Sequence, residues 1–90
     1  MPATTPPVAD AVAAKLVAIG RRIRECRKGL GVNGVTTAEA AGMSRVTLYR
    51  IERGEPSVTM GAYLNALDAL GLEFDVVDRQ APPVRSAKVV

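Results

Sequence analysis

Between Val8 and Lys28 the apolar positions Val8, Val12, Leu16, Ile19, Ile23 and Cys26 recur at steps of three and four, while Asp10, Lys15, Arg22 and Glu25 fall opposite them. That spacing predicts an amphipathic helix with one inward stripe. Arg27 and Lys28 stand in its last turn, where cations suit the helix dipole, and Gly29 marks its close. Gly20 interrupts the stretch, so one continuous helix and two shorter ones are both open.

Three more helices follow. Asn33 is an N-cap residue type and opens a short helix over Gly34 to Ala41, after which Gly42 supplies a permissive turn. Ser44 caps a third helix, Arg45 to Arg53, with Leu48 and Ile51 as its inward pair and Gly54 at its end. Pro56 stops any continuation. Thr59 caps a fourth helix with Met60, Tyr63, Leu64, Leu67 and Leu70 inward and Gly71 at the C-cap.

Beyond Gly71 the period shortens to two. In LEFDVVD (72–78) Leu72, Phe74 and Val76 alternate with Glu73, Asp75 and Val77, the pattern of a half-buried strand. The chain offers no second strand, so the economical expectation is pairing with the same segment of a second copy about a twofold axis. Residues 1–7, with three prolines, read as a disordered arm, and 79–90 as a flexible tail. The expected domain therefore runs from 8 to 78.

Composition narrows the function. The chain has no histidine and a single cysteine, which removes imidazole acid–base chemistry, an internal disulfide and a multi-cysteine zinc site. Its carboxylates are scattered and it has no glycine-rich phosphate loop, so neither an enzyme, a metal site nor a cofactor is expected. Aromatic residues make up only 3%, so the core must be aliphatic, and Cys26 is read as part of it. The amino terminus lacks the features of a signal peptide, and no apolar run reaches the ~20 residues of a membrane span, so a soluble cytoplasmic chain is expected.

Charge is segregated along the sequence. Eight basic and three acidic side chains lie between Arg21 and Arg53, whereas Gly54 to Asp78 contains five acids and no base. One part of the domain suits a polyanion and the other does not.

The segments IGRRIRECRKGLGV (19–32), GMSRVTLYRIERGE (42–55) with its ERG run, and ALGL (69–72) occur in the order found in one group of proteins. Together they resemble the Xre/Cro-type helix-turn-helix family, which includes phage repressors and bacterial antitoxins, over about residues 19–71. The resemblance implies an all-α repressor-like domain of four or five helices. With the C-terminal strand it would form a homodimer on a palindromic operator in double-stranded DNA. It also implies a bacterial, nucleoid-associated regulator.

The major groove admits one helix, whose N-terminal residues meet base edges. Carried over by position, Arg45, Val46, Tyr49 and Arg50 face the groove, the arginines suited to guanine and Val46 to a thymine methyl. Phosphates would be held by Ser44, Thr47, Arg53 and the backbone amides of Gly34 and Val35. Many members carry a glutamine at the position of Gly34 and a leucine at that of Thr37; here Gly34 offers only its backbone. Arg27 and Glu52 match an arginine–glutamate pair that ties the first helix to the third. Arg21, Arg22, Arg24 and Lys28 read first as a solvated face.

Two functions fit these residues. The first is a sequence-specific transcriptional regulator, expected to be a repressor. The alternative is an antitoxin that neutralises a partner toxin and represses its own operon; the stretch PSVTMGAYLNALDALGLEFDVVD (56–78) resembles antitoxins with a dimerising C-terminal strand.

Overall fold

Side-chain caps set the start of three of the four helices. In the computed structural model, which describes residues 7–79, these are α1 (Asp10–Gly29), α2 (Gly34–Ala41), α3 (Arg45–Glu52) and α4 (Met60–Ala69). The Asn33 carboxamide accepts from the Thr36 amide at 2.9 Å, the Ser44 hydroxyl from Thr47 at 3.1 Å and the Thr59 hydroxyl from Ala62 at 3.1 Å. Each satisfies an amide that the helix itself leaves without a carbonyl. Helix α1 has no such cap and opens on Asp10, whose charge suits the dipole. The expected arm and tail lie outside the described residues except for Pro7 and Arg79.

Helix α2 packs on α3 and α4, and α1 lies across α3. Ile23, Leu48, Ile51 and Ala66 are fully buried at the centre, with Ala38, Tyr63, Leu67 and Leu70 around them. Burying one such large aliphatic side chain is worth roughly 1.5–3 kcal/mol, so Leu48 and Ile51 anchor the short α3 firmly. Thr37 is buried too, and its hydroxyl donates to the Asn33 carbonyl oxygen at 3.0 Å, which removes the cost of a polar group in the core. Between α2 and α3, Gly42 takes a left-handed φ of 71°, and the Met43 amide returns to the Ala38 carbonyl oxygen.

Gly20 does not break α1; the helix is continuous, and the described residues hold four helices, not five. The glycine is there because backbones meet. A Cβ on Gly20 would overlap the Ile51 carbonyl oxygen and lie 2.7 Å from that of Glu52. Gly54, at φ 76°, presses on α1 in the same way, where a Cβ would come 2.6 Å from the Val17 backbone. Two glycines thus let α1 lie directly on the end of α3.

Three expectations change. Val8 and Val12 are not buried: Val8 precedes α1, and Val12, in its first turn, is 43% exposed. Met60 is exposed rather than inward, since it opens α4 at the rim of the core. The segment 72–78 carries no strand within the chain. Among the described residues nothing extended lies beside it to complete a ladder. Leu72 packs on the core, but Phe74 is only partly covered and Val76 is 81% exposed, so the alternation is not matched by burial.

Candidate nucleic-acid interface

Burial of Leu48 and Ile51 turns the opposite side of α3 outward. Arg45, Val46, Tyr49 and Arg50 all lie on that exposed side, with Val46 58% and Tyr49 50% accessible. The Arg45 guanidinium sits over the Tyr49 ring, 5.9 Å from its centroid, a cation–π contact between two residues of the exposed side. A valine and a tyrosine left open on a short charged helix leave apolar surface available for contact.

The start of α2 borders the start of α3. A Cβ on Gly34 would lie 3.9 Å from both the Arg45 Cγ and the Leu48 Cδ2, so the α2 opening and the first turn of α3 share one edge. Asn33 uses its carboxamide on Thr36, and helix geometry leaves the Gly34 and Val35 amides without helical carbonyl partners. Ser44 and Thr47 stand at the start of α3, with the Ser44 hydroxyl 3.1 Å from that of Thr47. The backbone opening of α2 and the Arg45 side chain therefore lie together beside the outward side of α3.

Arg53 is at the other end of α3. Its guanidinium meets Glu55 at 2.5 Å, and the Arg50 Nε is 4.0 Å from the second oxygen of the same carboxylate. The sequence reading missed Glu55; its signal was an acid placed two residues after Arg53 and five after Arg50. The backbone holds it: its amide donates to the Arg50 carbonyl oxygen at 3.0 Å, and its own carbonyl oxygen accepts from the Tyr63 hydroxyl at 2.8 Å. Burial, and secondarily the charge of Glu55, raise the Tyr63 pKa above its ordinary value.

Arg27 and Glu52 meet where α1 crosses the end of α3. Arg27 Nε donates to Glu52 Oε2 at 2.7 Å and Nη2 to Oε1 at 3.0 Å, while Nη1 donates to the Val32 carbonyl oxygen at 3.1 Å. Both side chains are nearly enclosed, and the hydrogen bonds to Glu52 hold the Arg27 pKa above its usual value. Leu72, Phe74 and Val76 are not part of this face. Phe74 lies instead over Leu67 of α4 and Ile19 of α1, beside a largely apolar groove of about 370 Å³. Cys26 is half-buried in the core beneath Leu70, with its thiol 3.8 Å from that residue's carbonyl oxygen. Among the described residues no helix is long and apolar enough to cross a membrane.

Comparison with known proteins agrees with this fold. The family model of the helix-turn-helix domain matches residues 18–80. Among solved structures, the chain is similar to the restriction-modification controller protein C.AhdI from Aeromonas hydrophila. The two share 35% sequence identity with a TM-score of 0.59, over 67% of this chain and 91% of that one. No curated protein matches the chain.

Proposed function

This chain belongs to the helix-turn-helix domain family, and from that premise we propose that it is a sequence-specific double-stranded DNA-binding transcriptional regulator, a repressor acting as a homodimer on a palindromic operator. The observation that carries the reading is the outward side of α3, where Arg45, Val46, Tyr49 and Arg50 stand exposed on a helix fixed from behind by Leu48 and Ile51. Arg45 and Arg50 form bidentate pairs with guanine, Val46 meets a thymine methyl and Tyr49 a base or a phosphate. Ser44, Thr47, Arg53 and the Gly34 and Val35 amides set the register on the phosphates. The likeness to a restriction-modification controller favours control of genes over catalysis.

Dimerisation is the second part of the proposal. Phe74, Val76 and Val77 leave apolar surface open in a segment with no ladder of its own, and a second copy pairing along Leu72, Phe74 and Val76 would cover it. The two α3 helices would then enter successive major grooves about 34 Å apart. Selection of bound duplexes from a random pool tests both parts. Symmetric half-sites one turn apart support the reading, and a pool that stays unenriched refutes it.

The apolar groove beside Phe74 favours one other reading, an antitoxin whose toxin docks there. Co-purification of a tightly bound partner encoded beside the gene would support it.

A further inference from the structure

We propose that Arg24 of α1 is a phosphate-binding residue, and that the cleft between α1 and the end of α3 holds one phosphodiester of a duplex. The inference rests on the DNA-binding reading above and extends the contact surface to a helix that reading leaves out.

The cleft, about 440 Å³, is lined by Arg24, Arg27, Tyr49, Glu52 and Arg53. Its two carboxylate oxygens on Glu52 are already taken by Arg27, at 2.7 and 3.0 Å. Arg24 stands outside that pair, its Nε 3.9 Å from Glu52 Oε1 and its side chain 56% exposed. Its donors are therefore largely unused by the protein. Arg53 forms the other wall and is 70% exposed, with Glu55 as its partner. Three guanidinium groups thus line the cleft with one carboxylate, Glu52, while Glu55, outside the lining, is shared by Arg53 and Arg50, and the cleft keeps a surplus of positive charge. A phosphodiester carries one negative charge and presents the paired oxygens that a guanidinium fork matches.

Tyr49 ties the cleft to the reading face, because the same side chain lines one and stands on the other. A duplex seated along α3 therefore passes the mouth of the cleft. The neighbouring arginines of α1 are not equivalent. Arg22 lies on the far side of the helix, beside Leu67, Glu73 and Phe74, next to the acidic segment 73–78. It serves as the internal control.

The test measures binding of the full chain to its selected duplex and to a scrambled one across a salt series, and to inorganic phosphate alone. Arg24→Ala should weaken both duplexes by the same factor, about eightfold at 0.1 M salt, and reduce the log–log salt slope by ~0.9, the value for one lost phosphate contact. Arg24→Lys should keep the slope, and Arg22→Ala should change neither quantity. Thermal melts confirm that the variants fold. An unchanged slope in Arg24→Ala, or a loss confined to the selected duplex, overturns the assignment while leaving the DNA-binding reading intact. Loss of inorganic phosphate binding with duplex binding untouched would make the cleft a free-anion site and also overturn it. A wild-type chain that binds neither duplex defeats both readings together.

Discussion

Arg27 of α1 engages both carboxylate oxygens of Glu52 at the last residue of α3, so the two helices are clamped at the point where their backbones already touch through Gly20 and Gly54. The clamp is enclosed: the side chains are 11% and 5% exposed. Together these contacts fix the angle at which α3 presents its outward side.

Removing one partner strands the other charge. Arg27→Ala or Glu52→Ala should each cost about 3–5 kcal/mol in urea unfolding. Replacing both by apolar residues of similar volume should cost less than the sum of the two, because no unpaired charge remains. Additive losses would show that the pair does not act as a unit.

Gly20→Ala places a methyl group into the carbonyl oxygens of Ile51 and Glu52, so α1 must move off α3. A loss of about 1–3 kcal/mol is expected, with DNA binding falling further than the unfolded fraction explains because α3 tilts. Gly29→Ala meets nothing within 4 Å and should be neutral or stabilising by ~0.4–1 kcal/mol. Equal melting temperatures for the two variants would rule out the close-crossing account.

Glu55 holds charge that Arg50 and Arg53 would otherwise present to any polyanion. Glu55→Gln should raise affinity for unrelated duplexes by roughly two- to fivefold, the range of an exposed ion pair worth up to ~1 kcal/mol. The ratio of specific to non-specific binding should fall. Titration of both duplexes at one salt concentration checks this.

Tyr63 gives the domain an alkaline limit. Its pKa is raised by burial first and by Glu55 second, so the folded state holds the phenolic proton more tightly than the unfolded chain does. That contribution is fully present below the unfolded value of about 10 and is lost as pH rises through the native one. Melting temperatures of the wild type should drop over this range more steeply than those of Tyr63→Phe.

Periodicity and capping residues made the helices legible in the sequence. Asn33, Ser44 and Thr59 each cap the helix expected of them, and Leu48 and Ile51 are the inward pair of α3. What could not be read was tertiary. Gly20 leaves one helix or two open in the sequence because its reason lies in α3, about thirty residues further on. Val12 kept the apolar period but had no neighbour to cover it, since nothing in a repeat pattern tells how far the other helices extend. The alternation at 72–78 describes a preference for a ladder, and a ladder needs a partner that the described residues do not contain. Glu55 and Arg24 acquired meaning only when their distances to α3 arginines and Glu52 were known.

Base preference in a binding selection, compared between the wild type, Arg45→Ala and Arg50→Ala, tests the account most directly. Each variant should lose discrimination at its own base step, by about 1–3 kcal/mol, while the other positions of the site keep theirs. Recovery of the wild-type motif by both variants would contradict the claim that the outward side of α3 reads the bases.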